Sequence, residues 1–143
     1  MIALFWSKIV NMDIHTREQR SYNMSRVKSE NTLPEKLMFK LLRKAGIKFS
    51  KHNKKLPGKP DIALMDRKIA VFINGEFWHG KNFPELKKTI PQFWVEKIGK
   101  NMKRDKSSYR KLSAKGWKVV KIWGRSVIKN PEKALEKILK LLD

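Results

Sequence analysis

The first periodic segment of the chain predicts an amphipathic helix between Thr32 and Gly46. Its apolar face consists of Leu33, Leu37, Met38, Leu41, Leu42 and Ala45. Thr32 suits the N-cap, Pro34 is tolerated in the first turn, and Glu35 completes a capping box. Gly46 then supplies the signal that ends the helix.

Two short apolar runs predict a β-hairpin. Asp61–Leu64 and Ile69–Ile73 are separated by the segment Met65–Lys68. The second run is almost wholly apolar, as expected of a strand that is buried on both faces. Ahead of the hairpin, Ile47–Phe49 predicts the start of another strand. The segment Lys54–Pro60, which holds two prolines and a glycine, predicts a turn.

The remaining pattern predicts a helix, a strand and a final helix. A long helical pattern covers Pro91–Lys115, Gly116 ends it, and Trp117–Trp123 has the composition of a strand. Asn130 and Pro131 begin the last helix. Its predicted inward-facing residues are Leu135, Ile138, Leu139 and Leu142. A strand–helix–strand crossover should be parallel and right-handed. We therefore expect a small three-layer α/β domain, with a mixed central sheet flanked by helices.

Length and local composition predict one domain with an arm ahead of it. A chain of 143 residues has room for a single core. Residues 11–31 are polar and basic without a clear period, and residues 1–10 are apolar but interrupted by Lys8. We expect an arm over 1–31 and one domain over 32–143. The apolar start is too short to cross a bilayer and lacks signal-peptide features, which favours a cytoplasmic, nucleoid-associated location.

The chain is strongly basic. Lys and Arg number 34 against 13 Asp and Glu, which gives a formal charge of +21 and a pI of about 10.4. Because this charge is spread along the sequence, the folded surface itself should be positive. Self-repulsion of this size favours a polyanionic partner, with DNA or RNA first and an anionic membrane second. The absence of cysteine excludes disulfides and thiolate metal sites.

Four polar residues are candidates for phosphodiester hydrolysis. Asp61 follows a Pro-Gly-Lys-Pro turn at the start of an apolar strand, where a carboxylate can hold a divalent metal. Glu35 begins the first helix, and Asn74 is the first polar residue after a strand, so both can point to the same place. His79 can serve as general acid or base, because its unperturbed pKa lies near neutrality.

Each candidate also has a purely structural explanation. Asp61 can cap the turn, and the capping box alone accounts for Glu35. Asn74 and Gly75 form a common turn pair, and His79 can be an ordinary loop histidine. The joint occurrence of the four residues favours the catalytic interpretation more than any single one of them.

Two aromatic pairs stand in unusual positions. Phe77 and Trp78 interrupt a polar, glycine-flanked loop, and Phe93 and Trp94 open the long helix. Exposed aromatic rings among lysines suit stacking on bases or wedging between them. The alternative is a satellite hydrophobic cluster beneath a loop.

Several motifs in fixed order resemble those of a known family. They are Lys55–Asp61, Val71–Gly80, Phe93–Asn101, Arg104–Asp105 and Gly116–Val119. Together they resemble the very-short-patch-repair (Vsr) DNA mismatch endonucleases, from about Thr16 to Trp123. The resemblance implies a restriction-endonuclease-like core that nicks one strand of double-stranded DNA beside a T·G mismatch. It implies Mg²⁺ or Mn²⁺ and no small-molecule cofactor. The oligomeric state stays open, with a monomer favoured.

The resemblance also implies roles for individual residues. Asp61 would be the main metal ligand, helped by the backbone carbonyl of Ile73. Glu35 and Asn74 would act on waters at the metal, and His79 would be the acid–base residue. The residues implied to contact DNA are Phe77, Trp78, Trp94, Lys59, Lys97, Lys100 and Arg104.

Two features depart from the family pattern. Members commonly hold a structural zinc around the Phe-Trp-His loop and after the last strand, but here Glu76 replaces one cysteine and Gly124 and Arg125 follow Trp123. We therefore expect no structural zinc. Glu76 would instead pair with a nearby basic residue or add a second metal carboxylate. The second departure is the extreme positive charge, which raises non-specific affinity for DNA.

The sequence leaves three functional hypotheses open. The first is a mismatch-nicking endonuclease. The second is a nuclease of the same fold with another DNA target, such as a homing, restriction-associated or branched-DNA enzyme. The third is a non-catalytic nucleic-acid-binding protein on a decayed nuclease core, against which the intact Asp61, Glu35 and His79 argue.

Overall fold

The computed structural model describes residues 30–142, so the predicted N-terminal arm lies outside it except for its last two residues. The elements, in chain order, are α1 (Leu33–Lys44), β1 (Ser50–Lys51), β2 (Ile62–Leu64), a 3₁₀ turn (Met65–Arg67), β3 (Ile69–Asn74), α2 (Phe83–Leu86), α3 (Gln92–Ala114), β4 (Lys118–Trp123), α4 (Gly124–Lys129) and α5 (Pro131–Leu139). No helix over this part of the chain is long and apolar enough to cross a membrane.

Four strands form one mixed sheet in the order β1-β2-β3-β4. β1 and β2 are antiparallel, β2 and β3 are antiparallel, and β3 and β4 are parallel. Lys68 closes the turn between β2 and β3 with a left-handed φ of 52°. The predicted hairpin and the predicted parallel pairing across α3 are both confirmed.

β3 is buried along its whole length, and its side chains alternate between two cores. Ile69, Val71 and Ile73 pack with side chains of α1, α4 and α5. Ala70 and Phe72 point to the other face, where they pack with side chains of α3. The result is the three-layer α/β arrangement predicted from the sequence, with helices on both sides of the sheet.

The larger core holds α1 against the sheet. Its buried members from the helices are Met38, Phe39, Leu42, Val127, Ala134 and Ile138. Full burial of one large apolar side chain stabilises a fold by about 1.5–3 kcal/mol. Several such side chains fix α1 in place, and with it Glu35 in the first turn of that helix.

The structure corrects several details of the predicted elements. Leu33, Ala45 and Leu139 were placed on inward faces, but all three are exposed. They lie at helix ends, beyond the contact with the sheet. The strand predicted to start at Ile47 instead begins at Ser50 and has two residues, while Ile47 packs against the larger core.

Two short helices, α2 and α4, were not predicted. α2 has four residues and α4 has six. A period of 3.6 residues cannot be recognised over so few positions. α4 matters for the site because it starts directly after β4, beside the loop that follows β3.

Glu76 joins that loop to the start of α4. Its two carboxylate oxygens accept hydrogen bonds from the backbone N–H of Arg125, at 3.1 and 3.3 Å. Amides in a first helical turn have no partner within their own helix, and a negative charge there is favourable. From the sequence, Glu76 was expected to pair with a basic side chain or a metal. Its partner is instead the backbone of a basic residue.

We expect Glu76→Ala to destabilise the fold by about 1 kcal/mol, the usual cost of removing a side chain that caps a helix. The measurement is the urea midpoint of unfolding. Glu85→Ala is the matched control, because the Glu85 side chain is 81% exposed and its contact with Lys88, at 3.8 Å, is a solvent-exposed ion pair. Equal midpoints for the two variants would contradict the capping role.

Candidate active site

Three side chains meet where α1 approaches the edge of the sheet. They are Glu35 from α1, His52 directly after β1, and Asp61 directly before β2. Each offers one ligand atom, and these atoms all lie within 4.8 Å of one another. The Nε2 atom of His52 is 2.6 Å from Glu35 Oε1 and 3.9 Å from Asp61 Oδ1. The sequence predicted that Glu35 and Asp61 converge, and the structure confirms it.

Glu35 is a buried carboxylate with three hydrogen-bond donors. Oε1 accepts from the backbone N–H of Asn31 at 3.2 Å and is hydrogen-bonded to His52 Nε2 at 2.6 Å, and Oε2 accepts from the Thr32 hydroxyl at 2.7 Å. Glu35 is only 2% exposed, so these hydrogen bonds are needed to offset the desolvation of its carboxylate. The predicted capping box is wrong in detail, because the Thr32 hydroxyl donates to Glu35 instead of accepting from the helix backbone.

Asp61 is held by the end of the neighbouring strand. Its Oδ2 accepts from the backbone N–H of Ile73 at 2.7 Å. The pKa of Asp61 is raised to about 7, mainly by burial and next by the negative charge of Glu35, against smaller lowering effects that include the Ile73 bond. Two carboxylates this close disfavour each other's charge, and a divalent cation between them would remove that penalty.

Asn74 lies at the end of β3 with its side chain buried. Its amide nitrogen donates to the hydroxyl of Tyr109 on α3 at 2.9 Å. Burial is the main cause that raises the pKa of Tyr109 to about 12, so this hydroxyl stays protonated at neutral pH. Asn74 therefore reaches the sheet edge, as predicted, but one of its polar atoms is already engaged.

His79 forms a pair with Asp105, a residue of α3. The Nδ1 atom of His79 lies 2.5 Å from Asp105 Oδ2. The charge of His79 is also the smallest of the influences that lower the pKa of Asp61, after those of Ile73 and His52. The side chain is 26% exposed and so accessible to a substrate.

The aromatic residues form a cluster beside this pair. Phe77 and Trp94 are 2% and 0% exposed and pack with other apolar side chains of the loop and α3. Trp78 is partly buried, with its ring centroid 4.8 Å from Phe77 and 5.5 Å from Trp94. The alternative of a satellite cluster is thus confirmed for Phe77 and Trp94. Contact of these two rings with DNA would require the cluster to open.

The indole N–H of Trp94 is a buried donor without an acceptor among residues 30–142. Phe93, at the start of α3, is 48% exposed and stacks edge-on against Trp94 at 4.9 Å. Within this cluster, Trp78 and Phe93 therefore present aromatic surface to solvent, while Phe77 and Trp94 support them.

The predicted DNA-contacting cations divide into two groups. Lys97, Lys100 and Arg104 are exposed on one side of α3, at a spacing that places them on neighbouring turns. Lys59 is instead paired with the carboxylate of Glu30. The row on α3 suits a phosphate backbone, whereas Lys59 already has an anionic partner.

His52 and Asp105 are site residues that were not predicted from the sequence. Asp105 had a signal, because it is an acidic residue inside the basic run Lys103–Lys106. His52 had none, since its meeting with Glu35 depends on the pairing of a two-residue strand. Glu76, proposed as a second metal carboxylate, is absent from the Glu35–His52–Asp61 group and faces α4.

Comparison with known proteins identifies the relatives of this chain. The profile described as DNA mismatch endonuclease Vsr matches residues 12–85. Type II nicking enzyme V.HpaIIP of Haemophilus parainfluenzae is 42% identical over 126 residues, which cover 85% of this chain and 89% of that protein. Type II nicking enzyme V.NmeDIP of Neisseria meningitidis serogroup C is 38% identical over 130 residues, covering 89% and 88%.

DNA mismatch endonuclease Vsr of Escherichia coli K12 is 35% identical over 113 residues, which cover 78% of this chain and 72% of that protein. The family match spans more than half of the chain and includes Glu35, Asp61 and His79. The mixed sheet with flanking helices is consistent with the restriction-endonuclease-like fold of this group. The chain therefore belongs to the Vsr family of DNA mismatch endonucleases.

Proposed function

We propose that this protein is a divalent-metal-dependent endonuclease that nicks one DNA strand beside a T·G mismatch. The observation that carries the proposal is the pair of carboxylates, Glu35 and Asp61, brought to one edge of the sheet in a chain of charge +21. The relatives, which are named as a DNA mismatch endonuclease and several nicking enzymes, support the same activity.

The donor set fits a hard divalent cation. Carboxylate oxygens are the ligands that Mg²⁺ prefers, and Asp61 is the more available of the two acids because its Oδ1 accepts no hydrogen bond from residues 30–142. The Ile73 amide holds the other oxygen of Asp61, and the carbonyl of Ile73 is proposed as a further ligand. When bound, Mg²⁺ or Mn²⁺ would supply Lewis-acid stabilisation of the attacked phosphate and a more acidic water.

His79 is the proton-transfer residue in this proposal. Its Nδ1 is bound to Asp105, which fixes the ring and leaves Nε2 to hold or deliver a proton. Glu35 and the side-chain oxygen of Asn74 (Oδ1) orient water near the scissile phosphate. The side-chain nitrogen of Asn74 already donates to Tyr109, so only the side-chain oxygen of Asn74 is left to contact a water.

DNA binding is assigned to α3 and the aromatic cluster. Lys97, Lys100 and Arg104 are proposed to contact phosphates, since their charges lie exposed along one side of the helix. Trp78 is proposed to lie against the bases beside the mismatch. Phe77 and Trp94 support Trp78 from below and reach DNA only if the cluster opens.

A nicking enzyme with another DNA target is the second candidate. Four of the relatives, all between 38% and 42% identical, are named type II nicking enzymes without mention of a mismatch. The same metal site and cationic helix would serve both activities, so the substrate decides between them.

We expect the wild-type protein to nick a T·G duplex in Mg²⁺, to leave a fully matched duplex intact and to be inactive in EDTA. Asp61→Asn should lower the single-turnover rate by roughly 10²–10³-fold or more, because several kcal/mol of charge stabilisation are lost. The DNA dissociation constant should change little. Asp66→Asn is the matched control, because Asp66 is an exposed acid in the β2–β3 turn. Nicking of matched and mismatched duplexes at equal rates would overturn mismatch selectivity.

The raised pKa of Asp61 predicts a pH effect on the metal-free protein. The folded state keeps the Asp61 proton up to about pH 7, whereas the unfolded chain releases it near 3.8. The free energy of unfolding should therefore fall as pH rises from about 4 to about 7, by as much as about 4 kcal/mol, and then level off.

The measurement is urea unfolding in EDTA at pH 5 and pH 8, for wild type and Asp61→Asn. The difference between the two proteins should grow with pH in favour of the variant, and saturating Mg²⁺ should stabilise the wild type more at pH 8. Asp66→Asn should keep the wild-type pH dependence. A wild type and an Asp61→Asn variant with parallel pH profiles would contradict the assignment of a raised pKa to Asp61.

A further inference from the structure

His52 lies in the site through an unusual backbone conformation. It follows β1 directly, and its backbone N–H donates to the carbonyl of Asp61 at 3.1 Å. Its φ is 45°, in the left-handed region that non-glycine residues rarely adopt. Such conformations persist where the surrounding contacts over-determine them, and they concentrate at functional sites. The edge of the ring packs against Phe39 of the core, with 5.9 Å between centroids.

The contact between His52 and Glu35 is short and specific. Nε2 is 2.6 Å from Glu35 Oε1, while the next carboxylate oxygen, Oδ1 of Asp61, is 3.9 Å away. We assign the proton of this bond to Nε2, with the carboxylate as the acceptor. The His52 side chain is 10% exposed and that of Glu35 is 3% exposed, so water competes little for either group.

The three donors to Glu35 come from two different parts of the fold. Asn31 and Thr32 directly precede α1, so their bonds keep the carboxylate near its own helix. His52 is the donor that comes from the sheet, and its backbone is bonded to Asp61. It therefore sets the position of the Glu35 carboxylate relative to Asp61, across the gap between the helix and the sheet.

We propose that His52 is a positioning residue for the endonuclease reaction. It donates from Nε2 to Glu35 and so holds the Glu35 carboxylate at a fixed position relative to Asp61. The proposal rests on the proposed function of this site. The competing role is direct ligation of a metal through Nε2. One nitrogen cannot donate a hydrogen bond and ligate a cation at the same time, so the two roles are distinguishable.

The first test is a substitution series in two backgrounds. His52→Leu removes the donor and keeps the volume, whereas His52→Gln keeps an N–H donor of similar reach. At saturating DNA and Mg²⁺, His52→Leu should lower the single-turnover nicking rate by roughly 10–100-fold, the usual effect of losing a group that orients a site residue. His52→Gln should stay within about 5-fold of wild type, and DNA affinity should change less than about twofold in both variants.

The same substitutions are then made in a Glu35→Ala protein. A residue that acts only through Glu35 has nothing left to position, so His52→Leu should change this rate by less than about twofold. An equal loss in both backgrounds, or a His52→Gln variant as damaged as His52→Leu, would overturn the proposal. Urea unfolding of each variant identifies losses that come from destabilisation.

The second test needs no catalysis and uses the intact protein. Nitrogen-15 NMR of the histidine side chains should show Nε2 of His52 protonated in EDTA and still protonated at saturating Mg²⁺. Loss of that proton when Mg²⁺ is added would make His52 a metal ligand and would overturn the positioning role. Because this readout is independent of nicking, it decides the role of His52 even if the protein fails to nick a T·G duplex.

Discussion

Repulsion between two carboxylates is the constraint around which this fold is arranged. Glu35 and Asp61 occupy one partly buried space, and the burial and mutual charge that raise the pKa of Asp61 also oppose folding when both groups are ionised. The surrounding groups limit that cost. Three donors satisfy Glu35, and the Ile73 amide satisfies one oxygen of Asp61. These donors do not remove the repulsion between the two carboxylates, which a divalent cation would neutralise.

The layers of the domain hold this arrangement in place. Apolar packing fixes α1, and therefore Glu35, over one face of the sheet. The β2–β3 pairing brings Asp61 beside the end of β3. On the other face, α3 contributes Asp105 to orient His79 and presents a row of cations to solvent. Each functional group thus rests on a regular element or directly beside one, which favours a site with little freedom to reorganise.

Much of this could be predicted from the sequence, because the signals are local. Periodicity identified α1, the hairpin, α3 and β4, and the turn before Asp61 marked the candidate metal site. Burial of the aromatic loop was only one of two alternatives from the sequence, since Phe77 packs against Trp94, which lies 17 positions later on a separate helix. His52 was missed for a similar reason: its role depends on a two-residue strand pairing and a left-handed turn. Non-local contacts of this kind leave no period or motif.

The role of Glu76 in the structure differs from the role expected from the sequence. From sequence it marked the absence of a family cysteine, and it was a candidate metal ligand. In the folded chain it caps α4 and so ties the loop with His79 to the element that follows β4. Because the donor is the backbone N–H of Arg125, any residue except proline could supply it, and the sequence could not indicate this partner.

The central claim is that Asp61, with Glu35 beside it, forms a cation site. Anomalous X-ray diffraction from crystals grown with saturating Mn²⁺ tests it most directly. We expect one strong peak at roughly 2.2 Å from an Asp61 carboxylate oxygen, a distance between those typical of Mg²⁺ and Ca²⁺. Full Mn²⁺ occupancy elsewhere on the protein, with no peak beside Asp61, would contradict the account.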